Sequence, residues 1–323
     1  MSEFYEVTQE PKGPRDLRLV LLDWAELVVV VLFLAFCFRQ FLLQPFSVPG
    51  SGMRNTLLPG DRFFGNKFIY GPLLPFTERR LFPLASPAPG DGVIFRDPAD
   101  RRAFAVRRCA AVPGDTVLLR DKACFVNGSR LDFPETADRG NGFAIEEPYS
   151  PRDNMAPLRV PRRDEVLRLD SLPLQQFDFT ASIIRQENPG ARITQTADLL
   201  INGRVDNDQK FEDYNCAIRR ADGRLHYDAM NWIDLKNTLN FLQARDDSGA
   251  YTFRRALFMD GRQITDYRVR TRVYFLLGDN WDDSYDSRYS GFISERLIVA
   301  RASFIFWSQD RGHIRWRRLF LFI

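Results

Sequence analysis

Apolar residues crowd one stretch of this chain and alternate with polar ones elsewhere. From Leu19 to Phe46 the sequence reads LVLLDWAELVVVVLFLAFCFRQFLLQPF, with an uncharged centre of twelve residues, Leu27 to Phe38. Twelve residues alone would suit a buried helix or the apolar part of a cleaved leader. Apolar residues continue on both sides, however, and Asp23, Glu26 and Arg39 lie near the ends, where charged side chains can reach headgroups. No small-x-small cleavage site follows. The pattern predicts one transmembrane helix over residues 19–43. Lys12, Arg15 and Arg18 precede it in a short polar tail, residues 1–18, which places the N-terminus in the cytoplasm. The chain after about residue 44 is then expected outside the cytoplasmic membrane, since no later stretch is apolar enough to return.

Beyond the anchor, short β-rich runs alternate with turn signals. FFGNKFIYG, GDGVIFRDP and AFAVRRCAAVPGDTVLLR read as strands broken at Pro-Gly, Gly-Asp and Asp-Pro. Residues 121–270 are more polar and carry Val126-Asn127-Gly128 and Ile201-Asn202-Gly203, both hairpin signals. One helix is expected near Asp228 to Ala244, where Trp232, Leu235, Leu239 and Leu242 recur at three- and four-residue steps. Strands return in TRVYFLLGDN and LIVARASFIFWS. The basic, aromatic tail HIRWRRLFLFI is expected to end the sheet close to a membrane surface.

Charge excludes one class of partner. Lys plus Arg (45) barely exceed Asp plus Glu (42), so nothing favours nucleic acid. Cys37, Cys109, Cys124 and Cys216 include no CxxC pair, and His226 and His313 are the only histidines. A metal site needs clustered ligands, so no metal and no cofactor are expected. Cys37 reads as a small hydrophobe, and a Cys109–Cys124 disulfide is not expected.

The order of short motifs resembles that of bacterial type I signal peptidases. Behind the anchor come Gln44-Pro45-Phe46-Ser47-Val48-Pro49, then Met53 to Asp61 (MRNTLLPGD), then Lys67 to Gly71 (KFIYG). Gly90 to Phe95 (GDGVIF) follows, then Arg107-Arg108 with Val112 to Asp115 (VPGD), and last Gly278 to Arg288 (GDNWDDSYDSR). Each match is short; six in order are specific. The resemblance covers roughly residues 24–120 and 271–310. It implies a mainly β protein, with a core of two antiparallel sheet regions (residues 44–120 and 271–323) and an inserted mixed α/β cap, residues 121–270. It also implies the inner membrane of a bacterium, with a single pass and the main domain in the periplasm.

This family is a serine protease in which a neutral lysine takes the proton of a serine hydroxyl. That works only if burial lowers the lysine pKa. By the resemblance, the nucleophile position is the residue before Met53, which here is Gly52 and has no side chain to attack with. The base position, eight residues before Asp115, holds Arg107. A guanidinium keeps its proton near neutral pH and cannot serve as a base. The oxyanion position is Gly50, which the family tolerates. Ser284 stands where the family supports its lysine. Asp279, Asp286 and Arg288 are expected to be structural. Phe46, Val48, Pro49 and Met53 are expected along the peptide groove. Asn55, Trp281 and Ser290 also depart from the family's usual proline, arginine and tryptophan.

The resemblance therefore implies the protease fold with the Ser/Lys dyad missing. Against this stands a one-residue slip that makes Ser51 the nucleophile, with Lys67 as base. Met53, Thr56 and Leu57 keep family spacing without a gap, and a shift of one residue in an extended segment turns a side chain to the opposite face. Three functions follow. One is a non-catalytic homologue that binds exported, signal-peptide-bearing polypeptides, a Sec translocon component or an active paralogue, alongside membrane lipid. The second is an active peptidase with a rearranged site. The third is a structural subunit of an envelope complex, binding through residues 121–270 with Tyr227, Trp232 and Tyr251 as anchors.

Overall fold

The computed structural model describes residues 17–48, 50–54, 56–73, 80–133, 153–205, 218–219, 225–246 and 248–323. The expected tail before residue 17, Pro49, Asn55 and Cys216 lie outside the described residues. The chain opens with the helix Leu17–Phe41. Twenty-five residues rise about 37 Å, enough for a hydrocarbon layer of ~30 Å. Its stretch Leu21–Phe41 is long and apolar enough to cross a membrane, and its apolar core is not covered by the rest of the protein. Val29, Leu32, Phe33 and Phe36 are all exposed. Lipid is the solvent that suits such a surface.

Strand Leu43–Ser47 continues directly from this helix and forms one end of an eight-stranded sheet. Next to it in space come Asp61–Asn66, Ile298–Asp310, Gly92–Arg96, Phe104–Ala111, Val273–Leu277 and Ile293–Ser294. His313–Ile314 adds to Ile298–Asp310. Every pairing is antiparallel. The protein is thus mainly β. Alternation sets which face is buried: Asp61–Asn66 turns Phe63 inward and Arg62 outward. Val273–Leu277 is buried at every position, as its unbroken apolar run requires. Phe46, Met53, Leu57, Phe63, Ile94 and Val106 share one apolar cluster, with Phe46 and Phe63 stacked at 6.0 Å.

Residues beyond 112 add two four-stranded sheets. One joins Thr116–Arg120, Ala123–Val126, Ser129–Leu131 and Met155–Arg159. The other joins Ile193–Ile201, Arg204–Val205, Tyr251–Met259 and Arg262–Ile264. Both Asn-Gly pairs turn hairpins, with φ of 51° and 84° at Asn127 and Gly128 and 51° and 77° at Asn202 and Gly203. Helix Trp232–Arg245 begins four residues after the expected Asp228, because Asn231 caps it: its Oδ1 accepts from the Ile233 and Asp234 amides.

Helix Leu174–Glu187 goes beyond the sequence reading. Its buried residues, among them Phe177, Phe179, Ala181, Ile183 and Gln186, surround most of its circumference, so no one-sided stripe announces it. The largest apolar cluster joins Phe177, Phe179, Trp232 and Leu257 to Val117, Phe275 and Phe292. Residues from 121–270 and from the flanking strands therefore share one core. Tyr227 and Trp232 are themselves core side chains, which removes them as surface anchors. Cys109 and Cys124 are buried free thiols.

The C-terminal tail returns along the sheet. Arg318 and Arg315 pair with the buried Asp61, and Phe322 bridges to Phe304. Trp316 (70 % exposed) and Phe322 (85 %) remain at the surface.

Candidate functional site

Three segments converge where the motifs place the reaction. The first is the turn Gly50–Thr56, held by the Arg54 amide to Ser51 carbonyl bond (2.9 Å) and the Leu57 amide to Met53 carbonyl bond (2.6 Å). The second is strand Phe104–Ala111, which carries Arg107 opposite Val93. The third is the loop Gly278–Ser284, which grips the first: the Asn280 amide donates to the Gly52 carbonyl (3.0 Å), and Asn280 Nδ2 to the Ser51 carbonyl (3.2 Å). Gly278 makes this approach possible. A Cβ there would lie 2.1 Å from Ser284 Oγ and 2.6 Å from the Gly52 carbonyl oxygen.

At the centre stands Gly52, buried. A Cβ placed on it would sit 3.2 Å from Cζ and Nη2 of Arg107 and 3.2 Å from Ser284 Oγ. Positions 52, 107 and 284 thus share one small volume, and the guanidinium fills the space beside the absent side chain. Arg107 donates from Nη1 to the Val106 carbonyl (2.7 Å) and from Nη2 to the Tyr285 carbonyl (2.9 Å). Its Nε and the hydroxyl of Ser284 are buried without a partner among the described residues. Burial lowers the Arg107 pKa, while the charges of Asp286 and Asp97 oppose that shift. Gly50 lies exposed beside the site, with open space where a side chain would begin.

The slipped pair does not meet. Ser51 Oγ donates to Asp283. Lys67 Nζ instead bonds the carbonyls of Arg39 (3.3 Å) and Gln40 (3.4 Å), at the end of the N-terminal helix. Burial, with Arg39 and Arg96 nearby, lowers its pKa there. Of the expected groove residues, Phe46 and Met53 point into the apolar cluster and Val48 packs at its edge. What strand Leu43–Ser47 offers is its backbone at the sheet's end.

A charged frame surrounds the centre. Arg108 donates from Nε and Nη2 to both oxygens of Asp279 (2.7 Å each), from Nη2 to Thr56 Oγ1 (2.9 Å) and from Nη1 to the Gly90 carbonyl (2.7 Å). Asp286 accepts from Nε (2.9 Å) and Nη2 (3.0 Å) of Arg288 and from the Gly278 amide (3.0 Å). Arg288 also reaches Asp153 (3.0 Å) and the Trp281 carbonyl (2.8 Å). Thr56, Asp153 and Asp283 escape sequence reasoning as partners, because each lies far along the chain from the group it meets.

The sequence matches the family model for signal peptidase, peptidase S26, over residues 21–174 and 188–307. The chain belongs to this signal peptidase family. Signal peptidase I of Buchnera aphidicola from Acyrthosiphon pisum is 26 % identical over 298 residues, 88 % of this chain and 75 % of its own. Signal peptidase I of Pseudomonas fluorescens is 29 % identical over half of this chain, and that of Pseudomonas aeruginosa 36 % identical over 34 % of it. These two matches span 57 % and 39 % of the Pseudomonas proteins' own lengths. A solved signal peptidase I from Enterococcus faecalis overlaps 67 % of this chain and 97 % of its own, at 17 % identity and a TM-score of 0.24. That likeness is too low to argue from. Among the described residues no group of His, Cys, Asp and Glu is arranged to hold a metal.

Proposed function

We propose that this chain is a non-catalytic signal peptidase homologue that holds exported, signal-bearing polypeptides without cutting them. The observation that carries the proposal is the occupant of the reaction centre. Where a nucleophile would project from position 52 there is no side chain, and the space beside it is taken by Arg107. An arginine keeps its proton at neutral pH even where burial lowers its pKa. Position 52 therefore offers no hydroxyl and position 107 no deprotonatable amine to begin acyl transfer.

Peptide holding is supported by the intact frame and by the sheet's end. Among the described residues, strand Leu43–Ser47 pairs with Asp61–Asn66 alone, and it precedes Gly52 in the chain by five residues. An extended polypeptide can add to such an edge through its backbone. The apolar N-terminal helix supports anchoring in the cytoplasmic membrane, and the cations before it support a cytoplasmic N-terminus with the β region outside.

The Ser51–Asp283 contact favours a second reading, a peptidase with a displaced serine. The two readings part in one assay: purified full-length protein in detergent, incubated with a signal-bearing precursor, then pulled down. We expect uncut precursor to be retained. Cleaved product that disappears in Ser51→Ala would establish the second reading instead.

A further inference from the structure

Arg108, Arg255, Arg288 and Arg318 each pair with a carboxylate, that of Asp279, Asp178, Asp286 and Asp61 respectively. Three other cations gather where the N-terminal helix meets the sheet, and none of them has a carboxylate partner among the described residues. Arg39 stands exposed in the last turn of the helix. Lys67 follows strand Asp61–Asn66 and bonds back to the helix end. Its amide donates to the Leu42 carbonyl (2.8 Å), and its Nζ to the carbonyls of Arg39 (3.3 Å) and Gln40 (3.4 Å). Arg96, also exposed, ends strand Gly92–Arg96 with its guanidinium 5.4 Å from the centre of the Phe104 ring. Phe104 in turn packs edge-on against Phe46, 5.3 Å away, in the strand that leaves the helix. Burial lowers the Lys67 pKa most, and the charges of Arg39 and Arg96 lower it further, so the three heads act on one another.

We propose that Arg39, Lys67 and Arg96 form a binding site for the phosphate of an anionic phospholipid at the C-terminal end of the anchor. Three elements supply the three charges, so the cluster is a product of the fold, and no single stretch of sequence shows it. Gathered cations repel one another, and an anion among them relieves that repulsion. The lipid source follows from the place. A helix of 25 residues rises about 37 Å, more than the ~30 Å of hydrocarbon, so its last turn stands at headgroup depth. Phe38, Leu42 and Phe68 flank Arg39 and Lys67 in the chain, are exposed, and offer apolar surface to acyl chains. A free anion gains nothing from those side chains; a phospholipid does. A headgroup held there fixes the depth at which strand Leu43–Ser47 leaves the bilayer. The inference rests on the reading that the helix spans a membrane, and is independent of whether the chain cuts peptide.

The test uses the full-length protein in detergent with phosphatidylglycerol or phosphatidylcholine added, and native mass spectrometry counts the lipid that stays bound. Phosphatidylglycerol should be retained about tenfold or more over phosphatidylcholine, and each cation lost should weaken that preference roughly fivefold. The Arg39→Gln, Arg96→Gln double variant should therefore bring the two lipids close to parity. Both side chains are exposed, so this variant keeps the fold. Lys67→Met should cost a similar factor; should it fail to fold, the double variant decides. Arg130→Gln, Arg163→Gln removes two exposed cations elsewhere and should leave the preference unchanged; an equal loss there overturns the site. Inorganic phosphate separates the sources, since it carries the charge without acyl chains. It should leave the unfolding midpoint unmoved at a concentration where phosphatidylglycerol raises it. An equal rise with inorganic phosphate makes this a free-anion site and overturns the lipid assignment. Equal retention of the two lipids by the wild type, or a preference that survives in the double variant, overturns the site and leaves the anchor standing. Retention of neither lipid overturns the anchoring reading with it.

Discussion

Arg107 and Arg108 are neighbours on one strand, and their side chains leave it toward opposite faces. Arg108 is buried and fully engaged: both oxygens of Asp279, Thr56 Oγ1 and the Gly90 carbonyl surround it. Arg107 meets two carbonyls, an absent side chain at Gly52 and a hydroxyl with no partner among the described residues. The same residue type thus does two different jobs about 3.3 Å of strand apart. One joins the turn at Thr56 to the loop at Asp279 and holds the frame. The other stands inside that frame beside Gly52, held by two carbonyls and no carboxylate. On the proposed reading, the frame of a signal peptidase and its chemistry are separable in this chain.

Removing each arginine should break the comparison most sharply. Arg108→Met removes the guanidinium that meets both oxygens of the buried Asp279 and should destabilise the protein by about 3–5 kcal/mol. Arg107→Met removes a charge that lacks a carboxylate partner and should be neutral or stabilising. Denaturant unfolding of the full-length protein checks both, and equal losses would refute the distinction.

Gly278→Ala should cost about 1–3 kcal/mol, since its methyl would collide with Ser284 and with the backbone of Gly52. Gly52→Ser is milder, because its Cβ would meet Arg107 at 3.2 Å rather than overlap it. Shortening the neighbour in Arg107→Lys should relieve that crowding. A double-mutant cycle should show a favourable coupling of roughly 0.5–3 kcal/mol between the two changes. Additive effects would mean that positions 52 and 107 do not share one space.

The smallest effect at neutral pH is at Cys124, away from both arginines. Burial pushes its thiol up from 9.0 to about 12. A pKa raised in the folded state means full stability below pH 9 and a progressive loss as pH climbs toward 12. Native protein should leave Cys124 unmodified by iodoacetamide at pH 8, and Cys124→Ala should flatten the alkaline loss. Rapid labelling of Cys124 in folded protein would contradict its burial.

The anchor was legible because a long apolar run with charges only near its ends has few other meanings. The Asn-Gly hairpins and helix Trp232–Arg245 were legible because local backbone chemistry sets them. Helix Leu174–Glu187 was not, since contacts on nearly every side erase the periodicity that would reveal it. The motif order brought Gly52, Arg107 and Ser284 into view as separate residues; that they border one volume is a property of the fold. The partners of the frame were hidden for the same reason. Asp153 to Arg288, Thr56 to Arg108 and Ser51 to Asp283 are encounters across distant segments, and no spacing rule announces them.

The most direct measurement is single-turnover cleavage of a signal-bearing precursor by excess full-length protein, run beside the Gly52→Ser, Arg107→Lys double variant. The account predicts no product from the wild type over hours and measurable product from the double variant. Product from the wild type at a rate equal to or above that of the double variant would contradict it.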